Sequence, residues 1–133
     1  METIIKWEPI SSTYGELYLE NLSYGNGGLS ILLKEKENTE KLLKIQFKLF
    51  MGFRTFAEFY RLRAVSENPM SNSPDSKWTF FVSEDDELIQ WLKDENYNIL
   101  STERRFKNYV IWTPDDIIEV ISEEEPLVEW VKI

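Results

Sequence analysis

The side chains of this chain with the clearest chemical potential are acids gathered in three short runs. They are Glu84, Asp85, Asp86, Glu87, Asp115, Asp116, Glu123, Glu124 and Glu125. Carboxylates that converge from different elements can hold Mg²⁺ or Ca²⁺, and a pair at a defined separation can hydrolyse glycosides. Adjacent acids at a helix start or in a turn usually point to solvent instead. We therefore interpret these acids as candidate partner-binding residues, with no metal ligand and no catalytic residue among them.

Two residue types that carry much of enzyme chemistry do not occur in the sequence. It has no Cys, which excludes thiol catalysis and thiolate metal sites, and no His, which removes the usual general base near neutral pH. The glycine-rich stretch at 24–28 lacks the strand-to-helix context of a phosphate-binding loop and is typical of a turn. We expect no cofactor, and any catalysis would depend on carboxylates, Lys, Tyr or a bound metal.

The charge balance narrows the range of partners. The chain has 24 acidic against 15 basic residues, which gives a formal charge of −9. A domain this acidic is repelled by nucleic acid and by anionic membrane surfaces, so we expect neither as a partner. Basic and aromatic residues cluster at 104–109 and around Arg61 and Arg63, and we interpret them as bases that neutralise nearby acids. A basic protein is the partner that the charge favours.

Length and composition predict one domain that spans residues 1–133. The chain has 133 residues, of which 42% are hydrophobic, so it can bury a substantial core without disulfides or metal. The first residues lack the apolar stretch of a signal peptide, and no run approaches the length that spans a bilayer. We expect a cytoplasmic protein, and its oligomeric state stays open.

One strand–helix–strand unit is the best-defined part of the pattern. Residues 77–82 and 105–113 are rich in aromatic and β-branched residues and predict strands, which a crossover could make parallel neighbours. Between them the sequence predicts a helix at about 84–96, with Ser83 as N-cap and Asp86 completing a capping box. The predicted buried face of this helix consists of Leu88, Ile89, Trp91 and Leu92.

The rest of the chain predicts strands joined mainly by hairpins. Strands are expected at 3–8, 16–22, 29–34, 43–51, 117–121 and 127–131. The glycines at 25–28 suit a turn that needs positive φ, and 66–76 is predicted to be a polar loop. The segment 52–64 is compatible with a strand, although we favour one or two helical turns. The predicted fold is α+β, with a mainly antiparallel sheet of about seven to eight strands and one helix packed on it.

The size, acidity and element order of the chain resemble those of small, acidic α+β immunity proteins that are encoded beside bacterial secreted toxins. The resemblance is carried by the strand at 78–82, the capped helix at 83–96 and the strand at 105–112, followed by strands at 117–121 and 126–131. It covers about half of the chain. The resemblance implies a toxin partner and no catalysis.

Three functional hypotheses follow. The first is a non-catalytic protein-binding module that neutralises a basic partner through the three acidic runs, placed together on one rim of the sheet. The second is a small-molecule-binding domain, or a carboxylate- or metal-dependent enzymatic domain, with an aromatic pocket between sheet and helix. A structural subunit that pairs through its last strand is a third option.

Overall fold

A computed structural model describes residues 4–10, 16–37, 40–66, 78–96 and 105–133. The loop predicted at 66–76 lies almost entirely outside these residues, as does Arg104 of the basic cluster. The strands are β1 (Ile4–Lys6), β2 (Leu17–Gly25), β3 (Gly28–Glu35), β4 (Lys41–Phe47), β5 (Gly52–Ala57), β6 (Phe80–Ser83), β7 (Lys107–Trp112), β8 (Asp116–Ser122) and β9 (Leu127–Lys132). The helices are a 3₁₀ turn (Glu58–Tyr60), α1 (Leu62–Ser66) and α2 (Glu87–Glu95).

The strands form two antiparallel sheets. One sheet has the order β1-β6-β7-β8-β5 and the other the order β2-β3-β4-β9. Every neighbouring pair is antiparallel, which confirms the prediction of mainly antiparallel pairing. The described part of the chain has nine strands, more than the seven to eight expected, and they are divided between two sheets. The parallel arrangement considered for the strands on either side of the helix is wrong, because β6 and β7 are antiparallel.

The inner faces of the two sheets pack together and form the main core. Alternating positions on β3 and β4 are fully buried, as a strand with one covered face requires. The Phe47 and Tyr109 rings, one from each sheet, lie 5.7 Å apart between centroids. The buried members of this core are Leu17, Leu29, Ile31, Leu33, Leu43, Ile45, Phe47, Phe80, Val82, Tyr109, Ile111, Ile118 and Val120.

Helix α2 covers part of the outer face of the five-stranded sheet, which confirms that the helix packs on a sheet. Its apolar stripe consists of Leu88, Ile89 and Leu92, which pack with Phe106 and Ile121. The predicted burial of Trp91 is wrong, because its side chain is 58% exposed. At 100° per residue, Trp91 lies roughly 100° around the helix from the centre of the stripe, and it therefore faces solvent.

The helix begins three residues later than the sequence suggests. Ser83 is the last residue of β6, where it is paired with Ile4 on one side and Asn108 on the other. The N-cap is Asp86, whose side chain accepts a hydrogen bond from the Ile89 amide at 3.0 Å. The predicted cap at Ser83 and the capping-box role of Asp86 are both wrong, because pairing on two sides keeps Ser83 extended.

The segment 52–64 contains both of the structures that were considered for it. Residues 52–57 form β5 against β8, and helical turns begin only at Glu58. The preference for helix is therefore wrong for the first half of the segment.

In the described part of the chain, no helix combines the length and the apolar character needed to cross a membrane.

Candidate functional site

Two of the three acidic runs lie at the same end of the five-stranded sheet. The first run follows β6 and the third follows β8, and both strands end beside the start of β7. Ser83 pairs with Asn108, and Ser122 pairs with Lys107. In addition, Lys107 Nζ lies 3.8 Å from Glu84 Oε1. The predicted proximity of residues 84–87 and 123–125 is therefore present in the fold.

The second acidic run lies at the opposite end of the same sheet. Asp116 opens β8, where it pairs with Ala57, whereas the third run follows the last residue of that strand. At about 3.3 Å per residue, the length of β8 separates the two runs by roughly 20 Å. The hypothesis of one rim that carries all three runs is therefore wrong, because consecutive turns of an antiparallel meander alternate between its ends.

Within the first run, only part of the acidic charge reaches solvent. Glu84 and Asp85 are exposed, whereas Asp86 is buried with 9% of its surface accessible. Glu87 is exposed but forms ion pairs with Arg63 Nη2 at 2.6 Å and Arg54 Nη2 at 3.5 Å. Asp86 is thus buried and the charge of Glu87 is partly neutralised by two arginines, so Glu84 and Asp85 contribute most of the accessible negative charge of the run.

Asp86 belongs to a buried polar network on the outer face of the five-stranded sheet. Asn108 Nδ2 donates to Asp86 Oδ2 at 2.5 Å and to Glu119 Oε2 at 3.3 Å. Glu119 also accepts from Arg54 Nε at 2.8 Å, and Arg61 Nη1 lies 3.0 Å from its other oxygen. The network joins β5, β7 and β8 to the starts of both α-helices, so its geometry suits a structural role.

The chemistry of this network does not favour catalysis. Burial raises the pKa of the Asp86 carboxyl, and hydrogen bonds from Ile89 and Asn108 offset part of that rise. Glu119 is only 5% exposed, so a substrate could not reach its carboxylate without displacing the arginines. Among the described residues, no group of three or more Asp or Glu side chains is arranged to hold a metal ion.

A different feature, a trio of aromatic rings, lies at the end of the sandwich that carries the third acidic run. Tyr24 contacts Phe50 and Phe53 edge-on, with ring centroids 5.4 Å apart in both cases. Phe50 and Phe53 lie 6.0 Å apart. Tyr24 and the neighbouring Leu49 are each 68% exposed, so large apolar side chains face solvent at this end.

Two adjoining depressions connect these apolar residues to acidic ones. The first has a volume of about 440 Å³ and is lined by the aromatic trio, Leu49 and Lys48, among others. The second, of about 370 Å³, is lined by Leu49, Phe50, Met51, Glu123 and Glu124. We call the combined region the aromatic–acidic surface, and it consists of Tyr24, Leu49, Phe50, Phe53, Glu123 and Glu124.

Local backbone contacts hold the turns of this surface together. Ser122 Oγ donates to the Leu49 carbonyl at 3.0 Å and accepts from the Glu124 amide at 3.1 Å, so one buried hydroxyl joins the apolar turn to the acidic turn. Gly28 adopts a φ of +93°, and a Cβ there would collide with the Phe47 carbonyl oxygen. A residue without a side chain is thus required for the Tyr24 hairpin to lie against the turn after β4.

Sequence reasoning missed the apolar half of this surface. Leu49 and Met51 continue the alternation of β4, so they were predicted to be strand residues, but the strand ends at Phe47 and the turn exposes Leu49. The buried network was missed as well. Glu119 interrupts the apolar run at 117–121, and a charged residue in such a run is the signal that could have indicated a buried ion pair.

Comparisons of the chain with protein-family models, with curated proteins and with solved structures give no match.

Proposed function

We propose that this protein is a non-catalytic protein-binding module and that it binds a basic partner through the aromatic–acidic surface. The observation that carries the proposal is the exposure of Leu49 directly beside Glu123 and Glu124, with the exposed Tyr24 in the adjoining depression. Large apolar side chains in a depression are typical anchors of protein interfaces, because their burial excludes water over a wide area. Neighbouring acids select a partner of opposite charge.

The charge of the whole chain supports the same kind of partner. A formal charge of −9 attracts a basic protein over a long range and repels acidic competitors. In this proposal, residues 123–125 contribute to the contact, and Glu84 and Asp85 extend the acidic field at the same end of the sheet. Asp115 and Asp116 lie at the other end of the sheet and are not part of the aromatic–acidic surface.

The resemblance to immunity proteins gives this proposal a specific form. A secreted bacterial toxin would be the basic partner, and the protein would neutralise it by covering its surface in the cytoplasm. The buried network fits a non-catalytic role, since Asp86 caps a helix and Glu119 binds two arginines. We propose neither nucleic acid nor a membrane surface as a partner.

The test starts with recovery of a partner from the native host, using the full chain as bait. Association and dissociation rates are then measured for Leu49→Ala and for the double variant Glu123→Lys/Glu124→Lys. We expect Leu49→Ala to accelerate dissociation about fivefold, which corresponds to roughly 1 kcal/mol. We expect the charge reversal to slow association about tenfold at low salt and to reduce its salt dependence.

Glu37→Lys/Glu40→Lys is the matched control for charge reversal, because it changes the net charge by the same amount. Glu37 and Glu40 are exposed acids between β3 and β4, at the end of the sandwich opposite to the aromatic–acidic surface. This double reversal should slow association less than Glu123→Lys/Glu124→Lys does. Equal effects of the two reversals, together with an unchanged dissociation rate for Leu49→Ala, would contradict the proposed surface.

The alternative function is small-molecule binding in the same aromatic depression, whose volume of about 440 Å³ lies in the range of ligand sites. A small ligand that raises the melting temperature of the wild-type protein, but not that of a Tyr24→Ala variant, would favour this alternative. It would be favoured further if the host yielded no protein partner.

A further inference from the structure

We propose that the partner is held by strand addition, in which an extended segment of the partner pairs with the edge of β5 that faces away from β8 and that no described strand occupies. This inference rests on the proposed function, because it describes how the same basic partner is bound. It assigns a role to an edge that the aromatic–acidic surface adjoins, since Phe53 belongs both to that surface and to β5.

Among the sheet edges in the described part of the chain, β5 is the least protected. Proteins usually block exposed edges with very short strands, bulges or charged side chains. β1 has three residues, β2 has an irregular register between Leu19 and Asn21, and β9 carries the exposed Glu129 and Lys132. The charged residue of β5 is Arg54, but its side chain is directed at Glu119 on the sheet face and does not guard the edge.

The backbone of β5 offers regularly spaced hydrogen-bonding groups on this edge. The Glu58 amide donates to the Asp115 carbonyl at 2.9 Å, in the same register as the β5–β8 pairs. Bonding directions alternate along an antiparallel strand, so Arg54 and Phe56 also face β8. Phe53, Thr55 and Ala57 therefore direct their amides and carbonyls away from β8, and in the described part of the chain no strand pairs with them.

Exposed apolar side chains lie near both ends of this edge. Tyr24 and Phe53 are in contact at the start of β5. Near its end, Phe56 of β5 is 51% exposed. Beyond the end, the Phe59 and Tyr60 rings lie edge-on with centroids 5.4 Å apart and are 75% and 77% exposed. An added strand would place alternate side chains against these rings, because successive residues of a strand point to opposite faces.

The acids beside β5 specify the chemistry of the added segment. β5 starts beside Ile121, close to the third acidic run, and ends beside Asp116 of the second run. A segment that pairs with the whole strand would therefore have carboxylates near both of its ends, about 20 Å apart. This indicates an extended segment with basic residues at both ends and β-branched or apolar residues between them. A second copy of this chain also carries a charge of −9, so it is the less favoured occupant.

A synthetic peptide provides a probe that does not require the natural partner. The probe is a short peptide of alternating valine and threonine with paired lysines at both ends, and its control has glutamates in place of the lysines. Hydrogen exchange of the wild-type backbone is followed by NMR at increasing peptide concentration. We expect the lysine peptide to slow exchange of the Phe53, Thr55 and Ala57 amides at least fivefold, and the glutamate peptide to leave it unchanged.

Two variants at one position test the backbone contact. Thr55→Pro removes an amide that faces away from β8, and proline is tolerated at such positions of edge strands. Thr55→Val keeps both the amide and the β-branched shape of the side chain. Thr55→Pro should weaken peptide binding at least tenfold, and Thr55→Val should not change it. If Thr55→Pro fails to fold, the exchange pattern of the wild-type protein decides the question.

Strand addition would be overturned by unchanged exchange at these amides, or by equal protection from both peptides. Protection that grows with protein concentration without peptide would instead show pairing between copies of this chain. The proposed function is tested separately, with the recovered partner. If Leu49→Ala and Glu123→Lys/Glu124→Lys weaken binding of that partner, while Thr55→Pro and Thr55→Val bind it equally well, the surface is correct and strand addition is wrong.

Discussion

Asn108 and Asp86 are joined by a hydrogen bond of 2.5 Å from the Asn108 amide to Asp86 Oδ2. The other oxygen of Asp86 accepts from the Ile89 backbone amide and caps α2. One carboxylate thus fixes the start of the helix to the middle of the sheet, because Asn108 lies on β7 between β6 and β8. This contact determines where α2 begins and which of its residues reach the core.

We therefore predict that Asp86→Ala lowers the free energy of unfolding by about 1–2 kcal/mol. The variant loses the N-cap and leaves a buried Asn108 donor without that acceptor, and relief from burying a charged carboxylate offsets part of the cost. Ser83→Ala is the comparison, because the Ser83 hydroxyl is buried and has no hydrogen-bond partner among the described residues. It should change stability by less than about 0.5 kcal/mol. Urea denaturation measures both, and a larger loss for Ser83→Ala would place the cap at Ser83 after all.

The buried carboxylate of Glu119 gives a second prediction. Glu119→Ala leaves Arg54 and Arg61 beside each other without their shared acceptor, and breaking a buried ion pair from one side typically costs 3–5 kcal/mol. Because Arg54 retains Glu87 and both arginines are partly accessible, we expect the lower end, about 3 kcal/mol. Glu129→Ala, at an exposed position on β9, should cost less than about 0.5 kcal/mol. Equal melting curves for the two variants would show that the network contributes nothing to stability.

Much of the fold could be predicted from the sequence because local pattern and burial agree over most strands. The apolar alternation of β3 and β4, the glycine turn before Gly28 and the strands at 117–121 and 127–131 correspond closely to observed elements. The helix was also predictable from its apolar spacing. These features depend on residues that are close together in the sequence, so a local pattern is sufficient to predict them.

The remaining features depend on contacts between distant residues. Ser83 and Asp86 are both good N-caps. The choice between them depends on the pairing of Ser83 with Ile4 and Asn108 and on the hydrogen bond from Asn108 to Asp86. Glu119 and Arg54 are 65 residues apart, so their ion pair leaves no local pattern. The division into two sheets likewise depends on strand order, which is set by contacts between distant residues. The same order places the acids after β8 beside the Leu49 turn and Asp116 at the far end of the sheet.

The ion pair between Glu87 and Arg63 gives a prediction about pH. Burial alone raises the pKa of the Glu87 carboxyl, but hydrogen bonds and charge from Arg63 and Arg54 more than offset this, so the net pKa lies below its ordinary value of 4.5. A carboxyl whose pKa is lowered by folding stabilises the folded state above its unfolded pKa. That contribution is lost as the pH falls through the folded pKa.

We therefore expect the coupling between Glu87 and Arg63 to be full near pH 7 and to be weaker at about pH 3, because the contribution is lost as the pH falls from the unfolded pKa through the lower folded pKa. The coupling is obtained from a double-mutant cycle of Glu87→Gln, Arg63→Gln and the double variant, by urea denaturation at each pH. Both side chains are largely accessible, so its value at neutral pH should be about 0.2–1 kcal/mol. Burial raises the pKa of Asp86, so protonation of this carboxyl at low pH relieves part of the cost of burying it. This effect on stability has the opposite sign to that of Glu87. Asp86 is present in all four proteins, so its contribution cancels to first order in the cycle. A coupling that is the same at both pH values would show that the contact does not depend on the ionised carboxylate.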